Sequence, residues 1–330
     1  MKREIAIGGL GLLLALASCR SEVNEYVING QIEDATEGYV YLKRVDDKSF
    51  TVVDSARIEN GKFLFLGSLN GPQAFGLTTS STDNSPLLFF LENAPLNIVL
   101  NESEKKIEVK GSESDVFFRQ VQEYSKQDGF QVDTLIANHP SSAVAAYLLM
   151  KSYSWGFDLD GLKNLRNQFD SSLDDSYYVY QLEDLIKRKE SVQVGQIATD
   201  FTLPDVEGND VSLSSFRGQY VLLDFWASWC PDCRREIPEV KAAYESLKDK
   251  NFTILGVSLD RNRETWTSAI DKYELTWNHV SDLKYWQSDI VRLYAIRWIP
   301  TYILVDPEGR IVFTALDSKG LEEGLAAAFK

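Results

Sequence analysis

The feature that most constrains the fold is the run from Tyr220 to Lys250, "YVLLDFWASWCPDCRREIPEVKAAYESLKDK". Its first part, up to Ala227, is apolar but for Asp224, which reads as a strand covered on both faces. Its second part places Ile237, Val240, Ala243, Tyr244 and Leu247 at helical spacing. Two cysteines, Cys230 and Cys233, stand at the seam. A buried strand feeding directly into an amphipathic helix belongs to a layered α/β domain. The flanking sequence agrees. "DFTLPDVEGNDVSLSSFRG" reads as a hairpin around Glu207-Gly208-Asn209, "FTILGVSLD" as a second buried strand, and "TYILVD" and "IVFTAL" as a last hairpin around Pro307-Glu308-Gly309-Arg310. Residues 193–330 are therefore expected to form a mixed sheet with helices on both faces.

Three readings of the cysteine pair compete: a redox couple, half a metal site, or buried filler. A metal site needs two more ligands. There is no second CxxC, and the histidines, His139 and His279, stand at no useful spacing; His139, beside Pro140, reads as a turn residue. Filler is disfavoured because the start of a helix flanked by Trp229 should be partly exposed. For a redox couple the layout assigns roles. Pro231 opens the helix, so Cys230 meets unpaired N–H groups and the positive end of the helix dipole, which favour its thiolate. Cys230 is then the nucleophile. Cys233, one turn on and expected to sit deeper, would resolve a mixed disulfide formed at Cys230.

"DFWASWCPDC", followed by "RREIPE" and later by "IPT" at Ile299-Pro300-Thr301, resembles the thioredoxin fold of the TlpA/ResA-like thiol-disulfide oxidoreductases. The resemblance covers roughly residues 193–330. It implies a redox-active disulfide between Cys230 and Cys233, with a cis peptide at Pro300 beside it. The backbone before that proline would pair with a substrate chain, in a contact surface of Trp229, Pro231, Trp298, Ile299 and Thr301. Asp224 matches the buried aspartate of thioredoxins and Glu236 a glutamate of the TlpA/ResA-like branch. Relatives usually carry Asn at the first of these positions, so two acids together are a departure. Asp224 would take the proton from Cys233 or serve as a structural hydrogen-bonding group, and Glu236 would assist or sit solvated on the helix. Trp298 replaces a usual Gly; it would form an aromatic rim with Trp229 or pack on the preceding domain. Asp232 adds negative charge beside Cys230, which leans toward a reducing couple. A peroxiredoxin-type peroxidase would need threonine where Ala227 stands. No cofactor and no metal is implied.

Upstream, "MKREIAIGGLGLLLALASC" has a basic start and an apolar run too short for a comfortable span, the pattern of a secretory signal at residues 1–18. "LASC" resembles the lipobox of bacterial lipoproteins, which makes Cys19 a lipidation site and residues 19–24 a tether. That resemblance would place the chain in the cell envelope, lipid-anchored and facing the periplasm, at the inner or the outer membrane. Residues 25–111 alternate with period two in "YVYLKRV", "FTVVDSARI", "KFLFLGSL", "LLFFLE", "LNIVL" and "KIEVKG", with Asn60-Gly61 as a hairpin turn. This is expected to be an antiparallel β domain. It resembles the small β-rich domain that precedes thioredoxin-like domains in Bacteroidetes lipoproteins. Residues 112–192 change to helical periodicity, in four segments, and read as a helical connector. A net charge of −15 without a basic cluster argues against nucleic acid.

Together these readings imply a membrane-tethered reductase of protein disulfides, supplied by an upstream membrane thiol donor; among related proteins such reductants serve cytochrome c maturation or repair. A disulfide oxidase or isomerase is the alternative, and a redox-sensing ligand-binding lipoprotein is the alternative of another class.

Overall fold

The computed structural model describes residues 25–46 and 49–330. The expected signal segment 1–18, the tether 19–24 and the lipidation site Cys19 lie outside the described residues. Among those residues no helix is long and apolar enough to cross a membrane.

The amino-terminal sheet contains β1 (Tyr26–Ile32), β2 (Glu37–Val45), β3 (Phe50–Glu59), β4 (Lys62–Gly67), β5 (Gln73–Thr78), β6 (Leu87–Leu91), β7 (Pro95–Asn101) and β8 (Lys106–Lys110). Their spatial order is β6-β5-β2-β3-β4-β1-β7-β8. Alternating side chains of β1, β4 and β7 turn inward. The outer strands β6 and β8 approach each other, so the sheet curls around one apolar interior that includes Ile28, Leu42, Ile58, Phe65, Phe89 and Ile98. Asn60 and Gly61 join β3 to β4 with φ of 52° and 74°, the twist a two-residue hairpin needs. The sheet is not wholly antiparallel, as the sequence pattern had suggested: β1 pairs antiparallel with β4 but parallel with β7. Two strands also escaped that pattern. β1 carries Asn29-Gly30, which looks like a turn, yet the Phe63 ring fills the space where a Gly30 Cβ would stand. β5 is buried at every position and does not alternate, because helices cover its second face.

Those helices are α1 (Glu113–Tyr124), α2 (Val132–Asn138), α3 (Ala143–Leu148), α4 (Leu159–Gln168) and α5 (Tyr177–Ser191). The side chains of Ser112, Ser142, Asp158 and Ser176 each accept a backbone N–H at a helix start. α2 was not anticipated; His139 closes it, with its ring 4.6 Å from Phe117. α3 runs into a π-helical turn, Leu149–Tyr153, and a 3₁₀ turn, Ser154–Gly156. Phe90 of β6, Phe118, Tyr147 and Tyr178 form one aromatic cluster, and the Ala74 N–H donates to the Tyr178 hydroxyl at 2.8 Å. The connector therefore shares its core with the sheet.

The carboxy-terminal half opens with the hairpin β9 (Thr202–Pro204) and β10 (Asp210–Ser212). It continues as β11 (Tyr220–Trp226), α6 (Pro231–Leu247), β12 (Phe252–Ser258), α7 (Arg263–Tyr273), β13 (Asn278–Val280), α8 (Asp289–Leu293), β14 (Thr301–Val305), β15 (Ile311–Ala315) and α9 (Ser318–Ala328). The sheet order is β13-β12-β11-β14-β15, parallel from β13 to β11 and antiparallel from β11 to β15. β11 is central and buried along nearly its whole length, which is why its sequence reads as a continuous apolar run.

Gly256 on β12 stands between Asp224 on β11 and His279 on β13. A Cβ there would come 2.3 Å from His279 Nδ1 and 3.2 Å from Trp226 Nε1. Burial pushes His279 down to about 3, so the ring is neutral in the core, flanked by Trp226 and Trp277 at centroid distances of 5.5 and 5.7 Å. Gly256→Ala is expected to cost about 1–3 kcal/mol, read as a lower urea midpoint with unchanged slope. A midpoint equal to the parent's would mean that the ring moves aside freely.

Candidate active site

The carboxyl end of β11, the start of α6 and the loop before β14 meet at the cysteines. Asp260, two residues beyond β12, organises the turn between the first two. Its carboxylate accepts the Ser228 N–H at 3.0 Å and the Ser258 hydroxyl at 2.7 Å, and the Ser228 hydroxyl also bonds to it. That turn sets Cys230 as the cap of α6, where its sulfur accepts the Cys233 N–H at 3.1 Å, with Pro231 in the first turn. Cys230 and Cys233 form a disulfide with Cα atoms 5.4 Å apart. Both residues are 4 % exposed, so Cys233 is not the deeper of the two and Cys230 is less open than a helix start had suggested. The Ile299 loop lies against Cys230.

The Ile299–Pro300 peptide is cis, and the Ile299 carbonyl oxygen lies 3.7 Å from Cys230 Sγ. Ile299 and Thr301 are 5 % and 4 % exposed. Their side chains therefore do not face a substrate. The Thr301 hydroxyl instead donates to the Trp298 carbonyl at 2.7 Å and shapes the loop. Pro231, Trp229 and Trp298 are exposed. Trp229 and Trp298 do not make one rim, however. Trp298 stacks on Trp155 of the connector at 5.1 Å, whereas Trp229 packs against Tyr285 at 5.0 Å and donates to the Leu259 carbonyl at 3.2 Å. Arg261 lies over the Tyr285 ring at 4.0 Å, and Leu283 and Tyr285 both hold left-handed backbone, φ 58° and 59°.

On the α6 side of the sheet, the antiparallel register sets Asp224 opposite Tyr302. The Tyr302 hydroxyl donates to Glu236 Oε2 at 3.1 Å. Glu236 stands on α6 one turn after Cys233, so the Tyr302 bond ties the helix of the resolving cysteine to the strand beside Asp224. Burial, with repulsion from Glu236 second, pushes Asp224 up to about 7. Burial also raises Glu236; the Tyr302 hydroxyl opposes that and Asp317 adds to it. Burial, then the Asp224 charge, pushes the Tyr302 phenol far up, so it stays a donor. Glu236 is half-buried and hydrogen-bonded rather than freely solvated. Asp232 pairs with Arg235 in the next turn, so its charge is offset and does not bear on Cys230 alone.

Sequence reasoning missed Tyr302, Asp260 and Trp155. Tyr302 was within reach, since it follows Pro300 by two residues on a strand expected to adjoin β11. Asp260 ends an apolar parallel strand, the edge at which α/β sheets gather their sites. No local signal marked Trp155.

Residues 194–314 match the AhpC/TSA family, and residues 26–116 match a domain of unknown function, DUF4369. The thiol-disulfide oxidoreductase ResA of Geobacillus kaustophilus is 31% identical over 135 residues, covering 41% of this chain and 75% of that protein. ResA of Halalkalibacterium halodurans is 31% identical over 137 residues, covering 42% and 75%. The crystal structure of the thioredoxin domain of a thiol-disulfide oxidoreductase from Bacteroides vulgatus is 41% identical, with a TM-score of 0.40, covering 42% of this chain and 100% of that one.

Proposed function

Because the chain belongs to the ResA-like thiol-disulfide oxidoreductases, with its AhpC/TSA domain in the carboxy-terminal half, we propose that it reduces protein disulfides through Cys230 and Cys233. The observation that carries this reading is the placement of the disulfide: it caps α6 and faces the Ile299 carbonyl before the cis proline.

In the reduced protein the Cys230 thiolate attacks one sulfur of the substrate disulfide. A bond forms between Cys230 and that sulfur, and the other substrate sulfur leaves as a thiolate and takes a proton. Cys233 then gives its proton to Asp224 and attacks Cys230 Sγ, and the second substrate sulfur leaves as a thiolate and takes up the proton held on Asp224. The Cys230–Cys233 disulfide remains. Two electrons have passed to the substrate with two protons, one from solvent and one from Cys233 by way of Asp224, and a dithiol donor must return the electrons. A carboxyl held near 7 is matched to that transfer. Glu236 and Tyr302 act as positioning residues for Asp224.

The reductase direction is favoured because buried acids under the pair disfavour a thiolate in the reduced state, and strong oxidants owe their potential to a stabilised reduced state. Disulfide donation or isomerisation is the reverse use of the same chemistry. The donor is proposed to be a membrane thiol protein that meets this chain at the periplasmic surface, where the lipid on Cys19 would hold it.

Equilibration in graded thiol buffers, with alkylatable thiols at Cys230 and Cys233 counted by mass, tests the direction. A potential at or below about −270 mV is expected, and one near about −120 mV would turn the protein into a disulfide donor.

A further inference from the structure

We propose that Trp155, supplied by the helical connector, is a specificity-determining residue of the exchange site: with Trp298 it grips a bulky apolar side chain next to the reacting cysteine of a protein disulfide. The inference rests on the disulfide-exchange reading and adds the residue through which the connector takes part. Trp155 lies outside residues 194–314, the part that matches the AhpC/TSA family.

Four observations converge on it. Trp155 and Trp298 are 43 % and 38 % exposed, although each is large enough to be worth burying in a core. They stack at 5.1 Å with planes 28° apart, which makes one continuous aromatic surface from two domains. That surface begins one residue from Ile299, whose carbonyl oxygen lies 3.7 Å from Cys230 Sγ. A cleft of about 200 Å³ opens beside it, lined by Trp155, Leu159, Tyr294, Arg297, Trp298 and Leu316. Small-molecule sites run from about 300 to 1,000 Å³, so this one is sized for a single side chain.

The surface is also held rigid, which a gripping surface requires. The Trp155 indole N–H donates to the Ser152 carbonyl at 2.8 Å. Arg297 reaches across from the loop before Pro300 to the Ser154 hydroxyl, at 3.1 Å, and to the Met150 carbonyl. Met150 belongs to the π-helical turn, a form whose altered hydrogen bonding is often found at functional sites. The connector thus braces the cis-proline loop and sets Trp155 at the same time.

The test uses the full chain, prereduced, with two peptides that each hold one internal disulfide and differ only in Phe or Gly beside the reacting cysteine. Single-turnover rates over a range of peptide concentrations give a maximal rate and a half-saturation point. The parent is expected to favour the Phe peptide about tenfold, in half-saturation and not in maximal rate, as for a side chain buried in an aromatic anchor. Trp155→Ala should erase that preference and Trp155→Phe should restore most of it. A parent that treats the peptides alike overturns the proposal. So does a Trp155→Ala chain that keeps the preference, or one that slows both peptides equally in maximal rate, which would make Trp155 a brace only. A parent that exchanges with neither peptide removes the disulfide-exchange reading along with it.

Discussion

Cys230→Ser is expected to abolish disulfide exchange, a loss of at least ~10³-fold, because a serine hydroxyl at the same helix cap has no accessible anion near pH 7 and forms no disulfide. Cys233→Ser should behave differently. Its Cys230 still attacks, but nothing resolves the product, so one equivalent of substrate stays covalently attached. Intact mass would show that adduct, and its disappearance on adding excess thiol would show the linkage. The pair of variants separates function classes as well as roles. A binding protein whose cysteines merely report redox state would lose nothing measurable in ligand capture from either change. If Cys230→Ser exchanged disulfides at the parent's rate, the catalytic assignment would fall; if Cys233→Ser formed no adduct, the order of attack would be reversed.

Asp224→Asn should move stability and rate together, in opposite directions. Between pH 3.8 and about 7 the folded chain keeps a proton on Asp224 that the unfolded chain releases, so this group lowers stability as pH rises through that window. His279 does the reverse. It is neutral in the folded core, with a value pushed down to about 3 from 6.5, while the unfolded chain takes up a proton, so it raises stability with pH over that range. Each displacement is worth on the order of 4 kcal/mol, and the two oppose each other. The parent should therefore be nearly flat between about pH 4 and 6.5 as far as these two groups decide it. Asp224→Asn removes one arm. Its stability should climb by about 3 kcal/mol from pH 4 to 6.5 and exceed the parent's at pH 8 by about 2–4 kcal/mol, read by urea unfolding. Turnover at pH 7 should fall about 100-fold, and the rate inflection near pH 7 should vanish. A variant less stable than the parent at pH 8, or one that keeps the inflection, would remove Asp224 from the role of buried proton acceptor.

Much of the reacting centre was readable because it is local. Pro231 and the period of Ile237, Val240 and Leu247 define a helix start, and an apolar run before it defines the strand, so Cys230 falls at their junction without reference to anything distant. The acid at Asp224 stands out for the same reason, as one charge inside a buried run. What stayed hidden depends on contacts between segments far apart in sequence. Trp298 could pack on Trp229 or on the connector, and only the position of the turn after α3 decides for Trp155. The Tyr302–Glu236 bond needs the β11–β14 register, and the parallel pairing of β1 needs the path of residues 33–94. β5 was invisible for a simpler reason: a strand covered on both faces has no alternation to show. The Asp232–Arg235 pair is the exception, a neighbour three residues away on a helix that spacing alone offers.

The insertion of β1 between β4 and β7 also sets an order of assembly. A chain made from its amino end can offer β1 to β4 once Gly67 has emerged, but the other flank of β1 stays open until Pro95–Asn101 follows. During that interval β1 is a half-paired edge, with Ile28 and Ile32 facing an unfinished interior. The amino-terminal sheet thus closes late and as a unit, which is the slow route that distant strand pairings impose. The thioredoxin-like half, whose five-stranded sheet begins with β11 at Tyr220, follows every one of these strands in the chain.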